Sequence, residues 1–167
     1  MKRLFQTSND ATLTLLRLVT GIVLFAHGAQ KMLGWFGGYG FRGTMQFFTG
    51  TMHVPALFAF LAIAAEFFGG LGLIAGFLGR VAAAGIATNM LVAVALVHAK
   101  VGFFMNWTGA QKGEGFEYHL LVLAIAATLI VKGSGALSID RLLSREQRPR
   151  EVREPVEAPA RRAAGIR

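Results

Sequence analysis

The stretch LRLVTGIVLFAHGAQKMLGWFGG, residues 16–38, decides the fold of this chain. It is mostly apolar and long enough to cross a bilayer, whose hydrocarbon core of about 30 Å needs roughly 20 helical residues. It nevertheless contains Arg17, His27 and Lys31. Charged residues are costly in lipid and usually face a bundle interior, so the segment predicts a membrane helix packed against other helices.

The composition supports this interpretation. Hydrophobic residues make up 54% of the 167 residues and charged residues 16%, and the mean hydropathy is +0.52. The net charge of +8 comes from Lys and Arg that gather at the chain ends and between apolar runs, as expected beside anionic lipid. We therefore expect the lipid bilayer, and no nucleic acid, as a partner. Cysteine is absent, which excludes a disulfide or a thiol redox centre within this chain.

Hydrophobic length predicts an all-α, four-transmembrane-helix bundle. Residues 78–80 alone separate the second and third spans, which predicts a tight antiparallel hairpin with Gly79 as the helix stop. Residues 34–54 predict a loop with a short interfacial helix. The predicted spans are 13–33, 55–77, 81–99 and 116–137. Glycines of the second span predict close helix packing, namely Gly69, Gly72 and Gly76.

The basic residues predict the orientation. Lys and Arg are more numerous on the side that holds both chain ends, so we expect both termini to be cytoplasmic. Arg17 interrupts the first apolar run, which favours a permanent span over a cleaved signal. Residues 1–143 form the predicted membrane domain. Residues 144–167 are charged, contain three prolines and predict a disordered cytoplasmic tail that lies on the membrane surface or docks a partner.

Helical geometry gathers the polar residues of the first span on one stripe, which includes Arg17, Thr20, His27 and Lys31. The other spans add polar residues near mid-membrane or toward the outer end. We therefore expect a ligand-binding or proton-handling site in the outer half of the bundle. Its candidate residues are His27, Lys31, Glu66, His98 and Glu117.

Some of these polar groups also have a purely structural interpretation. Arg17 either extends its charge to the inner headgroups or forms a buried ion pair. Glu66 is either a protonated carboxyl held by Asn89 or Thr88, or part of a functional site. Arg17 and Asn89 are accordingly the structural candidates.

A metal site is not predicted. Three histidines fall near the outer end, but no pair has the i, i+4 spacing that places two ligands on one helix face. Glu117 and His119 point to nearly opposite sides of a helix.

Four motifs occur in order across the predicted spans: RLVTGIVLFAHGAQKMLGWFGG, AAEFFGGLGLIAGFLGR, LVHAKVGFF and EGFEYHLLVLAIAATLIVKGSGALSID. Together they resemble the DoxX family of small four-span bacterial inner-membrane proteins, over about residues 13–143. The resemblance implies a multi-pass bundle in the bacterial plasma membrane. It also implies a set of motif polar positions, namely Arg17, His27, Gly28, Lys31, Glu66, His98 and Glu117. Relatives in that family include the membrane subunit of a thiosulfate:quinone oxidoreductase, and others are linked to oxidoreductase complexes that involve superoxide dismutase and a sulfurtransferase.

Two classes of function follow. In the first, the chain is the membrane component of a redox or sulfur and oxidative-stress complex, and a quinone binds between helices, where His27 or Glu66 hydrogen-bonds a carbonyl or moves its proton. In the alternative, the same groove binds or conducts a small solute without redox chemistry. The sequence contains no haem motif and no flavin-binding glycine pattern, which favours a non-catalytic subunit with no cofactor of its own over an autonomous oxidoreductase. The expected partners are oxidoreductase-complex proteins, and an oligomer is equally compatible with the sequence.

Overall fold

The structure is a computed structural model that describes residues 2–146. Within this range it contains helices and turns and no strand, which confirms the all-α prediction. Residues 144–146 of the predicted tail belong to the last described helix, and the remainder of the tail lies outside the described residues. The elements in the described range are α1 (Lys2–Phe5), α2 (Ala11–Leu33), α3 (Gly40–Gln46), α4 (Ala56–Ala75), α5 (Gly79–Leu96), α6 (Glu117–Lys132) and α7 (Ile139–Glu146).

Four of these helices form the bundle. α2, α4 and α5 are long and apolar enough to cross a membrane. α6 has 16 residues, about 24 Å at 1.5 Å per residue, because it ends at Lys132 and not at the predicted residue 137. A fourth crossing, like the orientation of the termini, therefore stays a prediction.

The connection between α2 and α4 is largely helical. A 3₁₀ turn (Trp35–Gly37) precedes α3, and a π-helical turn (Phe47–Thr51) follows it. The short helix predicted between the first two spans is thus present as α3. A second 3₁₀ turn, His98–Lys100, follows α5.

Capping residues set the helix ends. α2 begins two residues before the predicted position because the Asp10 carboxylate accepts hydrogen bonds from the backbone N–H groups of Thr12 and Leu13. The predicted hairpin of α4 and α5 is present, but Gly79 as its helix stop is wrong. Gly76 ends α4 in the left-handed conformation, at φ 66°, and Gly79 is the first residue of α5.

The most extensive helix contact joins α2 to α4, and it depends on glycine. A Cβ atom at Gly28 would lie 2.5 Å from the backbone of Phe67, and one at Gly70 would lie 2.6 Å from the backbone nitrogen of Phe25. A side chain at either position would therefore force the two backbones apart. This close packing fixes the register of α2 on α4, and with it the polar stripe of α2.

Arg17 crosslinks the end of the bundle at which α4 ends. Its side chain is 1% exposed and donates to backbone carbonyls at the end of α4, including that of Ile74 at 2.6 Å, and to carbonyls that follow α6. The latter belong to Ser134, at 2.9 Å, and Leu137, at 2.6 Å. The Arg17 side chain is buried, and its hydrogen bonds go to backbone carbonyls and not to Glu66. Carbonyls left free at helix ends supply its partners instead.

Asp140 of α7 completes this end of the bundle. It is 1% exposed and accepts hydrogen bonds from the backbone N–H of Leu78 at 2.8 Å and of Gly79 at 2.9 Å. The Ser134 hydroxyl donates to the same carboxylate at 2.5 Å. Asp140 therefore caps α5 from a distant part of the chain. These contacts form what we call the Arg17–Asp140 network.

Candidate functional site

At the opposite end of the bundle the four long helices enclose a cavity of about 1040 Å³. Leu24 of α2, Ala65 of α4, Met90 of α5 and Tyr118 of α6 all contribute to its wall. Most of the lining is apolar, and this combination with a few polar groups is typical of small-molecule sites. The polar residues of the lining are His27, Lys31, His53, Glu66, Thr88, Asn89, His98, Glu114, Tyr118 and His119.

Glu66 is the centre of the polar wall. One carboxylate oxygen pairs with the Lys31 ammonium, with Nζ and Oε2 2.5 Å apart, and the other accepts a hydrogen bond from Asn89 Nδ2 at 2.9 Å. The Glu66 side chain is 8% exposed and that of Lys31 is 26% exposed. Three helices, α2, α4 and α5, therefore meet in one ion-paired group at the edge of an apolar space.

The sequence anticipated part of this arrangement. The expected hydrogen bond between Glu66 and Asn89 is present, whereas Thr88 donates to the carbonyl of Ala84 at 3.0 Å instead. Lys31 was a candidate site residue, but its pairing with Glu66 was not predicted. The Lys31 ammonium lies within ion-pairing distance of Glu66, a contact that the structural interpretation did not include.

All four histidines of the chain line the cavity. The rings of His98 and His119 are stacked at a tilt, with their centroids 4.1 Å apart. His98 Nδ1 lies 2.8 Å from the carbonyl oxygen of Glu114, whereas His119 Nδ1 is buried without a hydrogen-bond partner among the described residues. The Tyr118 hydroxyl is also buried without a partner in that part of the chain. Such groups usually find a partner in a ligand or water.

The sequence did not identify His53 or Tyr118 as site residues, and it raised His119 only as a metal ligand. His53 lies just after the π-helical turn and adopts φ 54°, a left-handed conformation that is uncommon for residues other than glycine. Strained backbone and π-helical turns are both frequent at functional sites. The signal available in the sequence was the position of all four histidines in or next to the outer halves of the predicted spans.

Glu117 is the candidate that the structure does not bring to the cavity. Its carboxylate accepts hydrogen bonds from the backbone N–H of Met105 at 2.9 Å and from Trp107 Nε1 at 3.1 Å. It therefore holds the loop between α5 and α6. His27, Lys31, Glu66 and His98, the other predicted candidates, all line the cavity together with Asn89.

The cavity groups suit hydrogen bonding better than metal binding. Within residues 2–146, no group of three or more His, Asp or Glu side chains is placed to hold a metal ion. The Lys31 ammonium has three donors and uses one on Glu66, and Asn89 retains a second N–H. The wall can therefore donate to a carbonyl oxygen of a small molecule.

Comparison with known proteins agrees with the motif resemblance. The DoxX family model matches residues 12–99. The chain is 32% identical over 126 residues to a Bacillus subtilis (strain 168) protein named "Putative oxidoreductase CatD", an alignment that covers 75% of this chain and 82% of the relative. It is 35% identical over 137 residues to inner membrane protein YqjF of Escherichia coli (strain K12), covering 82% of this chain and 95% of the relative. No solved structure matches the chain.

Proposed function

Since this chain belongs to the DoxX family of helical membrane proteins, we propose that it is a membrane component of a redox complex and binds the head of a quinone in the cavity. The name of the Bacillus relative supports an oxidoreductase context, and the name of the Escherichia relative supports the inner membrane as the location. The proposal places the chain in the bacterial plasma membrane as a multi-pass subunit.

The observation on which the proposal depends is the Lys31–Glu66–Asn89 group at the edge of an apolar cavity. A quinone is a flat, largely apolar ring with carbonyl oxygens that accept hydrogen bonds. The unused N–H groups of Lys31 and Asn89 are suitable donors to such an oxygen, and the apolar lining suits the ring. When bound, the quinone would supply the capacity to accept and release two electrons.

The histidines of the cavity can hold a proton. Imidazole nitrogens can accept and donate protons, and His98 contacts both His119 and the backbone of Glu114, a residue of the loop before α6. In the proposal, Glu66 and Lys31 orient the ring while a histidine holds or returns its proton. Electrons would come from a partner protein, because the chain has no cysteine and thus no thiol of its own.

The test compares two identical substitutions at different places. In purified full-length protein in nanodiscs, Glu66→Gln should weaken the binding of a benzoquinone by about tenfold, since it removes the ion pair that positions Lys31. Glu117→Gln is the matched control, and it should leave the affinity unchanged because Glu117 does not line the cavity. Quenching of intrinsic tryptophan fluorescence reports binding.

Three outcomes would contradict the proposal. The parent protein would fail to bind benzoquinone, or both Glu→Gln variants would bind like the parent, or Glu117→Gln would show the loss expected of Glu66→Gln. Saturable binding of a small polar solute in place of the quinone would favour the alternative function without redox chemistry.

A further inference from the structure

α4 and α5 pack closely near their turn, and farther from it both helices line the cavity. A Cβ atom at Gly72 would lie 3.3 Å from the Cβ of Ala82, and one at Gly85 would lie 3.7 Å from the Cβ of Ala65. The predicted packing role of the glycines in α4 thus holds for Gly69 and Gly72 against α5. Small residues allow this close approach in the half of the hairpin nearer its turn.

Beyond Ala65 and Gly85, residues of both helices line the cavity. On α4 these residues include Phe58 and Leu61, and on α5 they include Val92 and Leu96. These side chains remain exposed, Leu61 at 49% and Val92 at 46%. Both helices are long and apolar enough to span a membrane, so exposed apolar side chains on them are suited to contact with lipid.

The charges of the lining indicate what kind of molecule fits. Lys31 is the single lysine or arginine among the described residues that line the cavity, and it is already paired with Glu66. Glu114 adds a second carboxylate to the lining. With neutral histidines, the lining therefore has a formal charge of −1 (one lysine against two glutamates), which disfavours the phosphate of a phospholipid headgroup.

We propose that the ligand is an amphiphile dissolved in the membrane, with a neutral carbonyl-bearing head and an apolar tail, and that it enters sideways between α4 and α5. The head lies at the Lys31–Glu66–Asn89 group, and the tail lies in the groove between Leu61 and Val92. This inference rests on the proposed function, and it adds the entry route and the need for a tail. The apolar groove provides a surface that a water-soluble solute would not use.

The experiment compares two probes that share one head. The first is a benzoquinone with a decyl chain, and the second is the same benzoquinone with a methyl group in its place. Binding to full-length protein in nanodiscs is measured for the parent and for Leu61→Trp and Val92→Trp, which fill the groove. The matched controls are Leu57→Trp and Leu91→Trp, whose leucines are exposed neighbours on the same helices but do not line the cavity.

We expect the parent to bind the decyl probe at least about tenfold more tightly than the methyl probe, because the groove buries part of the chain. Leu61→Trp and Val92→Trp should abolish that difference, because the indole ring fills the groove that holds the decyl chain. The two controls should behave like the parent. Thermal unfolding of each variant reports whether it is folded.

Different results separate the two proposals. If the parent binds both probes equally and the groove variants change nothing, the lateral groove is refuted and the quinone head site stands. If the parent binds neither probe, the proposed function and this inference both fail. Displacement of the decyl probe by phosphatidylglycerol at the same groove would also overturn the inference, since the occupant would then be a phospholipid.

Discussion

The two ends of the bundle bury charge in different ways. At one end, Arg17 and Asp140 are each 1% exposed, and their hydrogen bonds go to backbone groups and to a serine. At the other end, the ion pair of Lys31 and Glu66 borders a cavity of about 1040 Å³, and Lys31 is 26% exposed. A buried polar network with complete hydrogen bonding holds helices together, whereas a partly open one can exchange a partner for a ligand.

Helix dipoles favour the charges buried at the closed end. Arg17 lies at the carbonyl end of α4 and Asp140 lies at the N–H end of α5, so each charge faces the helix terminus of opposite partial charge. The same two residues occupy donors and acceptors that every helix end leaves free. Few hydrogen-bonding groups of Arg17 and Asp140 are therefore left for water or a ligand.

Removal of Arg17 should have the largest effect. Arg17→Met leaves several carbonyls unpaired and removes a positive charge near Asp140, so we expect a loss of about 3 to 5 kcal/mol in the free energy of unfolding. Thermal unfolding in mild detergent measures it. Arg42→Met, at an exposed position on α3, is the control and should be close to neutral. A near-parental melting temperature for Arg17→Met would refute the structural role of the network.

Asp140→Ala should have an intermediate effect. It removes the cap of α5 from a buried position, and we expect a loss of about 2 kcal/mol, against about 1 kcal/mol for Asp10→Ala at the exposed cap of α2. Chemical or thermal unfolding of both variants gives the comparison. Equal losses would mean that burial does not distinguish the two caps.

Loss of charge at the open end should leave the stability of the protein nearly unchanged but weaken ligand binding. The double variant Lys31→Met with Glu66→Leu makes both members of this partly exposed pair apolar. We therefore expect the free energy of unfolding to change by less than about 1 kcal/mol. Benzoquinone affinity should fall by about tenfold or more in the same protein. A large loss of stability with unchanged benzoquinone affinity would invert the comparison between the two ends.

The smallest effect is expected at His53. Its left-handed backbone suits glycine, so His53→Gly should raise the stability by less than about 1 kcal/mol or leave it unchanged. Met52→Gly, at a neighbouring residue with φ −91°, should lower it by a similar amount. If His53→Gly is destabilising, the imidazole makes contacts that outweigh the strain.

The sequence by itself determined the class of this protein and much of its helix layout. Apolar length identified the three helices that can span a membrane, and α2 ends at Leu33 as predicted. Helical periodicity placed His27 and Lys31 on one stripe and allowed Glu66 to reach Asn89. These properties depend on neighbours in the chain, on composition and on position along a span, all of which can be read from a linear sequence.

Only the tertiary structure decided which polar groups meet. Asp140 reaches Gly79 across 61 positions of sequence, and Arg17 reaches Leu137 across 120, because the segment after α6 folds back over the bundle end. Glu117 lies at the same end of the bundle as the cavity, but its carboxylate binds the loop between α5 and α6. Periodicity fixes the face of a helix on which a side chain lies, but the close approach of backbones at Gly28 and Gly70 sets the register and distance between helices, and these decide its partner.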